Sequence, residues 1–215
     1  MSTMIPLLTI TSGLAWTVVY LDAIRIGFRD RTCAMPLAAL ALNFAWEAIY
    51  AAHDLAGPLS VQAGVNLAWA LADLAIVYTY FKFGRAELPR FVTRSLHAAW
   101  GILVFATAFV VQGLFIEQFG VHEAARYSAF LQNVVMSGLF IQMLAVRRSL
   151  RGQSLTIAIA KWLGTLAPAS TSRRCGTGWT WARSCRGMTP VRNRPGAMDR
   201  KASLRIEPGR RFRTG

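Results

Sequence analysis

Charged residues are scarce in this chain, and acidic residues are the scarcest. Only 16% of its 215 residues are charged, with 10 Asp or Glu against 24 Lys or Arg, while 54% are hydrophobic. A soluble domain of this size is normally less apolar and more charged, so the composition indicates a membrane protein. The three cysteines, Cys33, Cys175 and Cys185, are widely separated and have no His residues at ligand spacing, so neither a disulfide framework nor a metal site is predicted.

Six apolar stretches approach the length of a membrane span. A helix needs roughly 20 residues to cross about 30 Å of hydrocarbon. The stretches cover approximately residues 4–24, 34–53, 61–82, 95–116, 124–146 and 154–168. The predicted fold class is therefore all-α, a polytopic transmembrane helix bundle of six spans over residues 1–168. No signal peptide is evident, because the first apolar run lacks a charged n-region and is longer than an h-region.

Basic residues cluster in every second connection between these spans. They occur at residues 25–31, 82–94 and 147–151, whereas the intervening connections carry none or only Arg126. Because cytoplasmic loops are enriched in Lys and Arg, the N-terminus is predicted to lie outside and the basic turns in the cytoplasm. The chain is accordingly predicted to be a multi-pass protein of the cell membrane.

The last 47 residues differ in character from the rest. Residues 169–215 hold 12 Lys or Arg and 2 Asp or Glu, whereas residues 1–168 hold 12 and 8. The segment is rich in Arg, Gly, Ser, Thr and Pro and has no apolar periodicity, so it is predicted to be a disordered basic tail. A reading-frame shift near residue 168 would explain its composition. The excess positive charge belongs to this tail and does not indicate nucleic-acid binding.

Two acidic residues, Glu47 and Asp73, lie inside apolar segments. At 100° per residue, each shares a helix face with polar and aromatic residues, within arcs of about 100° and about 60° respectively. On the second helix these are Asn43, Trp46 and Tyr50, and on the third they are Asn66, Trp69 and Tyr80. A charge facing lipid costs several kcal/mol, so both faces are expected to look into protein. A short loop makes the two helices antiparallel neighbours, and Glu47 and Asp73 are therefore predicted to share a cavity.

Later segments add polar and aromatic candidates. Trp100 lies among aromatic residues for which packing is the default and substrate contact the alternative. Gln132 and Asn133 are adjacent amides inside a span, where they need partners on other helices or in a substrate. The three histidines, His53, His97 and His122, lie near predicted helix ends and are interpreted as interfacial polar residues.

Three short motifs carry a resemblance to a known family. They are Asn43-x-x-Trp46-Glu47, Trp69-x-x-x-Asp73-x-x-Ile76 and Lys161-x-Leu163-Gly164-Thr165. Over about residues 1–168 the chain resembles the integral-membrane terpene cyclases of fungal meroterpenoid and indole-diterpene pathways and their bacterial relatives. The resemblance implies cyclisation of a prenyl chain, usually on a head group, by protonation of an epoxide or terminal alkene without metal or cofactor. It also implies seven helices, with a partner Asp on the seventh. Only six spans are predicted here, without that seventh helix and its Asp, so this chain is expected to be impaired.

The same resemblance assigns the Brønsted acid to Glu47. Protonation needs a neutral carboxylic acid, and burial in an apolar cavity favours that form. Asp73 is predicted to position Glu47 or to act as a counter-charge, and aromatic faces are predicted to stabilise the migrating cation. The predicted catalytic residues are Glu47 and Asp73, and the predicted substrate-binding residues are Asn43, Trp46, Tyr50, Asn66, Trp69, Trp100, Gln132 and Asn133. The expected partners are a prenylated small molecule and the lipid bilayer.

Two other functions fit the same residues. A small transporter or ligand-binding membrane protein would also place Glu47, Asp73 and the amides around a polar pathway. Such a protein should show Gly- or Pro-broken helices, yet the interiors of the second and third helices contain no Pro and only Gly64. A non-catalytic membrane protein would use both acids only to join helices, and substituting Glu47 would then change abundance alone.

Overall fold

The chain is built from helices that follow the predicted apolar stretches. A computed structural model describes residues 4–57 and 61–175, and this part of the chain contains helices and turns but no strand. The α-helices are α1 (Met4–Arg29), α2 (Leu37–Leu55), α3 (Val61–Phe83), α4 (Arg94–Arg147) and α5 (Leu155–Cys175), and a 3₁₀ helix covers Gly84–Glu87. The all-α prediction is confirmed.

The longest element, α4, is a hairpin of two helical arms. Gly120 interrupts it with φ 70° and ψ 160°, which is a backbone conformation that favours glycine. In one straight helix Gln112 and Gln132 would lie about 30 Å apart. Instead the Gln112 Nε2 donates to the Gln132 Oε1 at 3.3 Å. Residues 94–119 and 121–147 therefore run antiparallel and correspond to the predicted fourth and fifth spans.

Three of the described helices are long and apolar enough to cross a membrane, judged by length and composition. They cover Pro6–Arg29, Ala63–Glu87 and Arg94–Arg147, and Leu155–Leu166 is a shorter apolar helix. The prediction of a membrane helix bundle is confirmed. The number of six crossings and the orientation of the helices stay predictions. The last helix continues to Cys175, beyond its predicted end at Pro168. The remainder of the predicted tail, from residue 176, lies outside the described residues.

Small residues allow the helices to approach closely. Ala41, Ala45 and Ala108 are almost fully buried in one cluster between α2 and the first arm of α4. On the other side of the bundle, the Ser12 hydroxyl donates to the Gly164 carbonyl at 2.8 Å, which joins α1 to α5. Close backbone approach and interhelical hydrogen bonds are the usual means of association between membrane helices.

The three basic turns meet at one end of the bundle, here called the basic end. Arg147 donates to the Glu87 carboxylate and to the Cys33 carbonyl, and the Thr32 hydroxyl also donates to Glu87. Gly152 N–H donates to Asp30 Oδ2 at 3.0 Å. The Arg29 guanidinium and this Gly152 N–H together hold the pKa of Asp30 below its ordinary value. The turns that follow α1, α3 and α4 thus share one end, as alternating antiparallel helices require.

The predicted orientation can be tested with single cysteines in a background lacking the native three. An impermeant thiol reagent added to intact cells is expected to label Gly57→Cys, in the loop after α2. It should reach Arg90→Cys, in the turn before α4, only after the cells are permeabilised. Labelling of position 90 in intact cells would reverse the orientation.

Candidate active site

Glu47 and Asp73 lie in one buried hydrogen-bond network. Their exposed fractions are 4% and 0%. The Asn43 amide Nδ2 donates to Asp73 Oδ2 at 2.8 Å and to the Tyr20 hydroxyl oxygen at 2.7 Å. The Tyr20 hydroxyl in turn donates to Glu47 Oε1 at 3.2 Å. An amide and a phenol therefore connect the two acids. The four residues Tyr20, Asn43, Glu47 and Asp73 are here called the acid network.

Three helices contribute to the acid network. Asn43 and Glu47 are four residues apart on α2, so they lie on the same face of that helix. Asp73 comes from α3 and Tyr20 from α1. All four side chains are at least nine-tenths buried, and polar groups at that depth are normally hydrogen-bonded.

The sequence did not predict Tyr20. A signal was nevertheless present, because Ser12, Trp16 and Tyr20 recur at four-residue spacing and define one face of α1. Trp16 and Tyr20 are in ring contact, with centroids 6.4 Å apart. The Tyr20 ring also contacts the Trp69 ring at 6.0 Å. Tyr20 therefore joins the acid network to an aromatic surface.

One oxygen of each carboxyl has no hydrogen-bond partner among the described residues. These atoms are Glu47 Oε2 and Asp73 Oδ1. A neutral carboxylic acid carries its proton on one oxygen and can donate it. Because Glu47 Oε1 accepts from Tyr20, Oε2 is the position for that proton. The arrangement is thus chemically able to present a buried proton donor.

The predicted aromatic residues lie in three separate places. Trp69 lies beside the acid network and its Nε1 donates to Thr17 Oγ1 at 3.3 Å. Trp46 and Tyr50 are in ring contact at 4.8 Å, and Trp46 Nε1 donates to the Ala125 carbonyl at 3.0 Å. Trp100 is 56% exposed on the outside of the bundle.

The predicted amides outside α2 bind other polar groups. Asn66 donates to Asp54 Oδ2 at 2.7 Å, near the end of the bundle opposite the basic end. Gln132 accepts from Gln112 within the α4 hairpin. Asn133 donates to the Ala129 carbonyl at 2.9 Å and accepts from Thr165 at 3.3 Å. None of these bonds reaches the acid network.

Lys161 is a buried ionisable group outside the acid network. Its exposed fraction is 8%, and its Nζ donates to Ser137 Oγ at 2.9 Å and to the Asn133 carbonyl at 3.5 Å. Both acceptors are neutral, and no carboxylate of the described residues forms an ion pair with it. Likewise within residues 4–57 and 61–175, no group of three His, Cys, Asp or Glu is placed to hold a metal ion.

An apolar helix bundle with two carboxyl groups buried inside it defines a membrane protein that has an interior acidic site. Comparison with known proteins specifies the class further. A sequence model of the Pyr4-like transmembrane terpene cyclases matches residues 1–179, and the chain belongs to that family. The matched region extends past the predicted end of the bundle at residue 168.

Curated relatives of the chain are named as terpene cyclases. The chain is 32% identical over 162 residues to the Pyr4-family terpene cyclase mfmH of Annulohypoxylon moriforme, covering 74% of this chain and 66% of the relative. It is also 32% identical over 162 residues to the terpene cyclase pyr4 of Aspergillus fumigatus, covering 73% and 65%. For the terpene cyclase cle7 of Aspergillus versicolor the identity is 29% over 175 residues, covering 78% and 70%. The chain thus spans about two thirds of the length of these relatives. No solved structure matches it.

Proposed function

We propose that the chain cyclises a prenyl chain by proton transfer from Glu47. The observation that supports this most directly is the unpartnered Glu47 Oε2, held inside the bundle while Oε1 accepts from Tyr20. In the proposed reaction the Oε2 proton passes to a terminal alkene carbon or to an epoxide oxygen of the substrate. The resulting cation is attacked by the next alkene along the chain, and loss of a proton ends the cascade. The product is then an isomer of the substrate.

Asp73 is proposed to act on Glu47 through Asn43 and Tyr20. These residues contact both acids, and a positioned hydrogen-bond chain fixes which oxygen of Glu47 is available. Trp69, beside Tyr20, and the Trp46–Tyr50 pair are proposed to line the substrate path. The faces of aromatic rings attract cations and exclude water, which suits an intermediate that water would quench.

The proposed substrate is a prenylated small molecule that enters from the lipid phase of the cell membrane. Large apolar side chains cover the outside of the described helices, including Leu7, Ile102 and Ile141. A prenyl chain partitions into the same phase, since burying each methylene contributes about 0.8 kcal/mol. The family name of the curated relatives supports the reaction class and leaves the head group to experiment.

Cyclisation in deuterated water would test the proposal. Membranes containing the chain are supplied with a prenylated aromatic compound or with its terminal epoxide. A terminal alkene is expected to gain one deuterium on carbon, which survives washing with ordinary water. An epoxide is expected to gain it on oxygen, from which it exchanges. If a curated relative, assayed as the positive control, gives cyclised product and this chain converts neither substrate, the proposed activity is wrong for this chain.

A further inference from the structure

An open cavity of about 970 Å³ lies at the basic end, apart from the acid network. Six of its lining residues are basic or ionisable, and they come from four separate segments of the chain. They are Arg31, Lys82, Arg85, Arg94, His97 and Arg151. The turn after α1, the end of α3 with the 3₁₀ helix after it, the beginning of α4 and the turn before α5 thus bring positive charge to one space.

The basic side chains of this cavity are not paired with carboxylates within the described part of the protein. None of its five Arg and Lys side chains forms an ion pair there. The nearby acids are engaged by other cations, since Asp30 pairs with Arg29 and Glu87 pairs with Arg147. Arg151 donates to the carbonyl oxygens of Asp30 and Arg31. The cavity therefore attracts an anion.

Buried polar atoms in the cavity wall also lack partners. His97 is only 3% exposed, and its Nε2 has no hydrogen-bond partner among the described residues. The Arg85 Nε is likewise buried without one. The His97 ring is held against Tyr80, with centroids 4.5 Å apart, so it cannot turn freely towards solvent. Groups that are both desolvated and unpaired are costly unless a ligand completes them.

The cavity is also lined by apolar residues. Phe81 lines it and is 39% exposed. The connection that carries Arg85 also presents Phe91, which is 78% exposed. An anionic group attached to an apolar chain would contact both the basic and the apolar residues of the cavity.

We propose that this cavity binds the phosphate group of an anionic ligand. Guanidinium groups match phosphate oxygens in pairs, and basic pockets between membrane helices are suited to anionic head groups. The basic end is predicted to lie on the cytoplasmic side, where the adjacent leaflet contains anionic lipids with phosphate head groups. Residues 169–215 do not suit the cavity, because they hold 12 basic and only 2 acidic residues. The phosphate comes from an anionic phospholipid or from a soluble diphosphate.

The test uses the full chain in neutral detergent and measures its melting temperature. The probes are short-chain phosphatidylglycerol, short-chain phosphatidylcholine and inorganic diphosphate. Phosphatidylglycerol is expected to raise the melting temperature saturably, and the zwitterionic lipid is not. Arg85→Gln combined with Arg94→Gln is expected to weaken the apparent affinity for phosphatidylglycerol by roughly tenfold or more. If inorganic diphosphate alone gives this variant-dependent rise, the cavity binds phosphate and its source is soluble.

A matched control removes the same charge elsewhere at the basic end. Arg90 and Arg148 are exposed and do not line the cavity. Arg90→Gln combined with Arg148→Gln is expected to bind like the wild type. Arg85→Lys combined with Arg94→Lys keeps the charge and should retain most of the affinity, which separates charge loss from misfolding. Equal weakening in both glutamine variants, or a wild type that responds to neither anionic probe, would overturn the proposal.

Discussion

Glu47→Gln is expected to lower cyclisation by on the order of a hundredfold or more while leaving the abundance of the protein in membranes unchanged. Glutamine keeps the size of the side chain, and its amide oxygen can still accept from the Tyr20 hydroxyl. It cannot deliver a proton to an alkene or an epoxide. The measurement is the rate of cyclised product formation per amount of membrane-inserted protein.

Two further variants sharpen this test. Glu117→Gln makes the same chemical change at an exposed position on α4 and is expected to have no effect. Asp73→Asn is expected to slow the reaction less than Glu47→Gln, because Asp73 is proposed to act through Asn43 and Tyr20. Near-normal rates for Glu47→Gln would remove Glu47 from the mechanism. If Glu47→Gln instead reduced abundance with an unchanged rate per molecule, the acid network would only join helices.

Lys161→Met is expected to stabilise the protein by roughly 1–2 kcal/mol. Lys161 is buried and donates only to the neutral Ser137 hydroxyl and Asn133 carbonyl. A buried charge without an oppositely charged partner pays a desolvation cost that an apolar side chain of similar length avoids. The measurement is thermal unfolding in detergent.

The control for this variant is Arg90→Met, at an exposed position outside the cavity of the basic end, where a change within about 0.5 kcal/mol is expected. A lower melting temperature for Lys161→Met would contradict the prediction. It would mean that the bonds to the second arm of α4 contribute more than desolvation costs.

The neighbouring positions of Glu47 and Asp73 could be predicted from sequence, because helical periodicity decides which residues share a face. The same periodicity predicts that Asn66 and Asp73 share a helix face, but it does not take account of their separation along the helix axis. Seven residues advance an α-helix by about 10 Å, so a shared face does not mean a shared site. Asn66 accordingly lies far enough towards the helix end to bond Asp54.

The environments of Tyr20 and His97 could not be predicted from the sequence, because both depend on contacts between helices. Periodicity identifies a buried face on α1 but does not say which neighbouring helix that face meets, and the Tyr20–Glu47 bond depends on that choice. His97 lies near the start of α4, where polar residues are commonly exposed to solvent. It is buried here because the Tyr80 ring covers it, which is a contact between α3 and α4 that no local pattern encodes.

All four residues of the acid network occur within the first 73 positions of the chain, on its first three helices. These residues are therefore encoded separately from α4 and α5, which pack against α2 and α1 respectively. Translation completes all four residues before it reaches either of those helices. Changes in the second half of the gene can consequently alter the helices around the acid network and leave its four residues unchanged. Chimeras joined in the connection before α4 would keep the acid network whole while exchanging α4 and α5 between relatives.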